Sequence, residues 1–415
     1  FDIKMAGETD VYEVPTYAKC IEDIYVSISK YVRESEAGTF GPTGFYNQLE
    51  EYGYFPMRDF AVVGGLAVLW TIIRYILTEN VFLPLGKYTQ MSMLNQKKFP
   101  ESAFKLIFYV CTWTLSTYML FIKEDKYTFF ERPLDLWKDW SPGMFVPWDM
   151  YALYMVQCSF YLHSVYGTLY MDQWRKDSIV MMFHHFLTLS LIGFSYAARF
   201  HKIGVLVLFV HDITDICLEF TKCNVYLKTR GGKIHKLNDH LTTIGFLFFA
   251  GTWYVFRLYW FPLKILHSAS LGVITNAPNG RIPFLFFFNV LLWVLQILNI
   301  YWFTFIVRFL YKIARGQMSE VDDVREIDVE DEVAKKKPRE SRIKFIVNFL
   351  YKVATGQVKE VDDMREYEVE KKLLDTKSGK PEKNGVAESN GVGSHGDIPN
   401  GNGTPRRSAR QRKTD

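Results

Sequence analysis

The sequence predicts an all-α fold: a polytopic membrane helix bundle of about seven transmembrane helices with a disordered cytosolic tail. Three observations carry this reading. Seven apolar segments approach the roughly 20 residues that a helix needs to cross a hydrocarbon core. The lysines and arginines between them gather in alternate connections. Ionisable residues are concentrated inside two consecutive apolar segments, where charge costs at least a few kcal/mol unless it lines a cavity.

The segments are Phe60–Leu77, Ala103–Ile122, Met150–Met171, Ile179–Ala198, Ile203–Phe220, Leu241–Leu263 and Phe284–Leu310. The fifth is short and polar, as a helix surrounded by other helices can be. Basic residues fall in the first connection (Lys87, Lys97, Lys98), the third (Arg175, Lys176), the fifth (Lys222, Lys228, Arg230, Lys233, Lys236) and after the last segment (Arg308, Lys312, Arg315). That bias places these connections and the C-terminus in the cytosol and the acidic N-terminal segment 1–59 in the lumen. Arg199 and Lys202 on the lumenal side are a mild exception. The expected division is a lumenal segment 1–59, a transmembrane catalytic domain 60–311, a charged tail 312–375 and a disordered C-terminus 376–415.

Residues 1–59 are mixed and polar and read as no cleavable signal peptide. The chain opens on Phe1, and Met5 is the expected initiator. Five scattered cysteines (Cys20, Cys111, Cys158, Cys217, Cys223) form no metal-binding spacing and no disulfide framework. The net charge of +4 says little, because the charge is unevenly placed. The tail holds a duplication: residues 305–332 recur at 345–372, with 18 of 28 positions identical. Two copies do not make a solenoid; they read as alternative versions of one terminal segment, both retained. The glycine-, asparagine- and lysine-rich stretch 376–415 reads as disordered. Asn402–Thr404 is followed by Pro405, Arg410–Arg412 fits a weak retrieval pattern, and Ser319 sits before acidic residues; a solvated tail accounts for all three.

Residues 184–224, HHFLTLSLIGFSYAARFHKIGVLVLFVHDITDICLEFTKCN, are the most informative stretch. His184 and His185 lie in one apolar run; His211, Asp212, Asp215 and Glu219 lie in the next. Spacings of three and four put the second set on one helical stripe, with Asp215 as its hub. Thr188 shares a face with His184, whereas His185 lies about 100° round, so one histidine alone points straight at the stripe. His184 sits about 8 Å below the cytosolic end of its helix at 1.5 Å per residue, and the carboxylates occupy the cytosolic half of theirs. Both clusters therefore meet at similar depth, beside the basic run at 228–233. A metal site is one reading of such a cluster, but Met181 breaks the HxxHH pattern of membrane di-iron enzymes. A structural polar network in a receptor or channel is another. Acid–base or nucleophilic catalysis by histidine, with carboxylates as orienters, suits the pattern best. His163 and Gln157 either join this site or bond a neighbouring helix. Arg257 is expected to snorkel to the lumenal interface.

These residues resemble the longevity-assurance motif of ceramide synthases, within the TLC domain: HH, then HD, DxxD, LE and K–N in register, with FRLYWFPLK at 256–264 also similar. The connection between the first two spans is too short for a homeodomain-like insertion, so the chain looks like the type that lacks one. Arg199 stands where many relatives have asparagine. The resemblance implies N-acylation of sphinganine or sphingosine by a long-chain fatty acyl-CoA, stearoyl-CoA favoured, in the endoplasmic reticulum membrane. It makes His184, His185, Asp212 and Asp215 the catalytic candidates, supported by His211, Glu219, Thr188, Lys222 and Asn224. Lys228, Arg230 and Lys233 become candidates for the phosphates of coenzyme A. No metal and no further cofactor are implied, and no nucleic acid. A sphingoid base, membrane lipid and a homo- or heterodimer with other ceramide synthases are the expected partners. Histidine acts near neutral pH either as general base or as nucleophile through an acyl-imidazole, with Asp212 or Asp215 holding its tautomer. The acyl length is expected to be read by the lumenal half of the bundle and the connection Lys264–Ile282. The alternative is a non-enzymatic TLC-domain protein of translocation or lipid sensing.

Overall fold

The computed structural model describes residues 12–35, 39, 41–123, 127–172, 175, 177–277 and 282–315. The duplicated tail segments beyond residue 315, Ser319 and the C-terminal motifs lie outside the described residues, as do Met5 and Lys176. Two short helices come first, α1 (Tyr17–Glu34) and α2 (Pro42–Tyr52). Seven long ones follow: α3 (Met57–Tyr88), α4 (Met93–Ile122), α5 (Trp148–Tyr170), α6 (Ser178–Ala197), α7 (His201–Lys228), α8 (Lys236–Asn276) and α9 (Leu285–Ala314). A single helical turn, Pro133–Trp137, lies between α4 and α5. Strands β1 (Thr229–Arg230) and β2 (Lys233–Ile234) form a small antiparallel hairpin between α7 and α8. Gly231 and Gly232 turn it with φ of 58° and 70°, a conformation that residues with a Cβ rarely adopt.

Each expected apolar segment falls on one long helix, to within one residue at either end. Five of the helices, α3, α4, α6, α8 and α9, are long and apolar enough to cross a membrane. Helices α5 and α7 are as long but more polar, because they bury polar side chains against their neighbours: Gln157, Ser159 and His163 on α5, and His211, Asp212 and Glu219 on α7. Helix α7 is the hub, packing on α4, α5, α6 and α8. Such helices are solvated by protein, not lipid. All five cysteines are free thiols.

The structure corrects one boundary. The sixth span was expected to end at Leu263 and a connection to run over 264–282. Instead α8 continues to Asn276, through wide π-helical turns at Trp253–Leu266 and Ser268–Gly272. Pro262 lacks an N–H and clashes with the preceding turn, and a widened helix is one way to accommodate it without breaking. The polar residues in this stretch are met by partners distant in sequence. Lys264 Nζ donates to the Phe130 carbonyl at 2.8 Å, and His267 Nε2 lies 3.1 Å from the Asp23 carboxylate on α1. The N-terminal segment is also more structured than its composition suggested: the Tyr12 hydroxyl donates to the Leu263 carbonyl at 2.6 Å, and α1 packs on α8 through Cys20 and Ile24.

One glycine on α7 controls a close approach. The Tyr154 side chain is fully buried, its hydroxyl shares a hydrogen bond with Ser195 Oγ at 3.1 Å, and it donates to the His201 carbonyl at 3.3 Å. A Cβ at Gly204 would lie 1.7 Å from that hydroxyl. Gly204→Ala is therefore expected to displace a pinned ring and to destabilise the bundle by about 1–3 kcal/mol, the usual range for overpacking. Thermal unfolding in detergent checks this; an unchanged midpoint would show that Tyr154 swings aside freely.

Candidate functional site

Helices α5, α6, α7, α8 and α9 line a cavity, the kind of concave, mostly apolar space in which small molecules bind. Its walls are mostly apolar: Leu191, Ile203, Leu208, Leu285, Leu292 and Leu295. Polar groups converge at one end, where His184, Thr188, His211, Asp215, Arg257 and Tyr161 face in. The opposite end is closed by Trp137, Phe200 and Phe288. Both Ile203 and Asp215 lie on α7, twelve residues apart, so the cavity extends roughly 18 Å along the helix at 1.5 Å per residue.

The helical offset of the two histidines separates them as expected. His184 lines the cavity, with its ring 5.3 Å from that of Trp302 and 6.5 Å from that of Tyr161. Its Nδ1 is buried and has no hydrogen-bond partner among the described residues. Thr188 Oγ1 donates to the His184 carbonyl at 2.9 Å, which ties it to its own helix while it also faces the cavity. His185 turns toward α5, where its Nε2 lies 3.3 Å from Thr168 Oγ1 and its ring 6.1 Å from Tyr161. Tyr161 thus lies near both rings, which are themselves 5.9 Å apart.

The carboxylate stripe is divided. His211 and Asp215 face the cavity, but Asp212 faces the other way, into the α4–α5 contact. There Asp212 is fully buried, and its Oδ2 accepts from Thr112 Oγ1 at 2.8 Å and Gln157 Nε2 at 2.7 Å. Of the two uncertain residues on α5, Gln157 therefore touches Asp212, while His163 bonds Thr71 Oγ1 at 2.9 Å on α3. His211 Nδ1 lies 2.7 Å from the Val207 carbonyl, so Nδ1 carries the proton and Nε2 accepts from Asn299 Nδ2 at 3.4 Å. Neither Asp212 nor Asp215 is hydrogen-bonded to a histidine among the described residues, contrary to the expectation that one would hold the imidazole.

Thr112 and Gln157 claim Asp212, and Arg257 claims Asp215. Arg257 does not snorkel to an interface: its side chain is 4% exposed and bonds Asp215 Oδ1 at 2.6 Å through Nη2. The same Nη2 donates to the His211 carbonyl at 3.1 Å, and the guanidinium lies 4.1 Å from the Trp253 ring centroid. A buried carboxylate and a planar cation satisfy each other better than either can be satisfied by lipid headgroups some distance away. The sequence did offer a signal, a lone cation in the aromatic run FRLYWF, but periodicity alone could not tell whether it faced inward.

The remaining candidates lie further along α7. Glu219 Oε1 accepts from Lys222 Nζ at 3.0 Å, and Asn224 Oδ1 accepts from Asn238 Nδ2 at 3.0 Å, joining α7 to α8. Lys228 is buried and pairs with Asp239 at 3.2 Å. Arg230 and Lys233 sit on the hairpin, with Lys233 exposed. None of these lines the cavity; Lys228 is thirteen residues, roughly 20 Å, beyond Asp215 along α7.

Comparison with known proteins gives this arrangement its context. The TLC domain matches residues 98–308, which contain every residue lining the cavity. Ceramide synthase 1 of Homo sapiens is 43% identical over 323 residues, covering 78% of this chain and 91% of the human protein. Ceramide synthase 1 of Mus musculus is 43% identical over 280 residues, or 68% of this chain and 79% of its own. Ceramide synthase LOH1 of Arabidopsis thaliana is 31% identical over 303 residues, or 66% and 93%. This chain belongs to the ceramide synthases, within the TLC-domain family. In this ceramide synthase the departure at Arg199 has a backbone counterpart: Arg199 has φ of 62°, a left-handed conformation that asparagine tolerates better than other side chains. The arginine is seated between aromatic rings, 5.3 Å from Tyr54 and 5.0 Å from Tyr196.

Proposed function

We propose that the chain is an acyl-CoA-dependent sphingoid-base N-acyltransferase. It transfers a long-chain fatty acyl group, stearoyl favoured, to sphinganine or sphingosine and yields dihydroceramide or ceramide. The observation that carries the reading is a long apolar cavity ending on His184 beside the Asp215–Arg257 pair. An acyl chain lying in the cavity puts its thioester carbonyl at the polar end. His184 then either removes a proton from the attacking amine or attacks the carbonyl itself. In the second course an imidazole nitrogen bonds the acyl carbon as the C–S bond breaks, the coenzyme A thiolate leaves with the imidazole's proton, and the amine then displaces the imidazole, which takes up the amine's proton as the amide C–N bond forms. Arg257 and Tyr161 line the same end of the cavity and are the candidates to stabilise the oxyanion that forms in either course. Asp212, held by Thr112 and Gln157, acts from behind the helix by fixing the α4–α5–α7 packing around the site.

The thioester supplies the activation, so the reaction calls for no metal and no further cofactor. We place the enzyme in the endoplasmic reticulum membrane with the N-terminus in the lumen and the C-terminus in the cytosol. The hairpin with Arg230 and Lys233 then lies at the cytosolic rim, where it meets the phosphates of coenzyme A. Residues 60–311 form the catalytic domain, and pairing with a second ceramide synthase chain is testable by co-purification of two tagged copies. The deciding assay uses membranes from cells stripped of their own ceramide synthases and expressing this chain, given sphinganine and a panel of acyl-CoAs. Dihydroceramide with an eighteen-carbon acyl group is the expected main product. Normal accumulation without any N-acylation would sink the reading in favour of a non-enzymatic TLC-domain protein.

A further inference from the structure

The closed end of the cavity is not the outer edge of the bundle. A second, smaller hollow adjoins it, lined by Trp140, Met144, Arg199 and Lys202 among others. Three residues line both spaces: Trp137, Phe200 and Ile203. Trp137 and Phe200 meet edge to face, 5.4 Å between centroids at 78°, and Phe200 stacks in the same way on Phe288 of α9 at 4.8 Å. Trp137 and Phe200 therefore stand between a long compartment and a short one.

Trp137 is held as a wall needs to be. It comes from the helical turn Pro133–Trp137, outside the apolar segments, and is 5% exposed. Its Nε1 donates to the Ser268 carbonyl at 2.9 Å and lies 3.1 Å from Ser268 Oγ, which in turn donates to the Pro133 carbonyl. Asn276 Nδ2 donates to the Leu134 carbonyl at 2.8 Å. Helix α8 also leaves room for the indole: a Cβ at Gly272 would lie 2.9 Å from its Cδ1. Four fixed points thus set the depth at which the ring stands.

We propose that Trp137, with Phe200, is the partition that sets acyl-chain length, by stopping the methyl end of the chain before the second hollow. This rests on the acyltransferase reading above. It locates the stop on the α4–α5 connection, with the far part of α8 acting as its brace. A stop made of one ring can be moved in either direction. Trp137→Leu opens the short compartment to the chain end. Ala269→Leu, on the cavity side of the wall, leaves the ring in place and shortens the long compartment.

The test gives membranes containing the full chain sphinganine and an equimolar mixture of saturated acyl-CoAs, and measures the length distribution of the dihydroceramides. A pocket discriminates about tenfold or more per methylene. Trp137→Leu should therefore raise the ratio of products two to four carbons longer over the parent product by at least about tenfold, and Ala269→Leu should shift the distribution to shorter chains. The second variant decides the matter if the first does not accumulate. An unmoved distribution in an active variant, or the loss of every product in Ala269→Leu at normal protein level, overturns the partition. A wild-type chain that makes no ceramide overturns the acyltransferase reading and the partition with it, so the two failures are distinct.

Discussion

His184→Ala is expected to lower N-acylation at least about a hundredfold, the usual scale for losing a proton-transfer or nucleophilic group, while the protein still accumulates in the membrane. His184 is half-buried, faces the cavity and carries an unpartnered Nδ1. Its imidazole holds up no neighbouring helix through a hydrogen bond among the described residues, so the loss should fall on chemistry, not folding. Near-normal turnover would remove it from the mechanism. The two courses open to it separate on a second measurement. Enzyme given acyl-CoA without sphinganine should show an acyl adduct on His184 by mass spectrometry if the imidazole is the nucleophile. Absence of both the adduct and single-turnover release of coenzyme A would favour direct attack by the amine. His185→Ala should also reduce turnover, through Tyr161 and Thr168, against which His185 packs.

Breaking the Asp215–Arg257 pair should have the largest effect on stability. Arg257→Met leaves a carboxylate in an apolar enclosure without its cation, a change that typically costs about 3–5 kcal/mol. Asp215→Asn is milder, because an amide oxygen still accepts from the guanidinium, so that variant should accumulate and lose activity through the missing charge. Removing both partners, as Arg257→Met with Asp215→Leu, should restore most of the thermal stability lost in Arg257→Met but none of the turnover. Unfolding midpoints in detergent and the dihydroceramide assay on all three variants separate these effects. A stable Arg257→Met, or a fully active Asp215→Asn, would show that the pair at 2.6 Å is incidental.

The parts of this fold that rest on period and length were legible in the sequence. All seven long helices could be placed, because an apolar stretch of spanning length has few alternatives. The placement of His184 on one face and His185 on the next followed from 100° per residue. What escaped detection was pairing across helices. Arg257 and Asp215 are 42 residues apart, and nothing in either neighbourhood marks them as partners. Asp212 looked like a member of the same stripe because periodicity assigns a face only coarsely; Thr112 and Gln157 on two other helices claimed it. Trp137 went unnoticed because it lies between apolar segments, where aromatic residues read as interfacial. The far part of α8 was expected to be a connection because the sixth apolar segment, of spanning length, ends at Leu263; Phe130 and Asp23, distant in sequence, meet Lys264 and His267 there.

The 42 residues between Asp215 and its cation also set a delay during synthesis. At roughly 5–20 residues per second, Asp215 is made about 2–8 seconds before Arg257. During that interval a carboxylate at membrane depth has no counter-ion of its own, and the two helices that later wall the cavity do not yet exist. The nascent helix must wait in a hydrated or chaperoned place, then be drawn in when α8 arrives. Nascent chains halted just before Arg257 should therefore expose α7 to added protease, and chains halted beyond α8 should protect it, with Asp215→Asn reducing the difference. Equal protection at both lengths would mean that α7 settles without its partner.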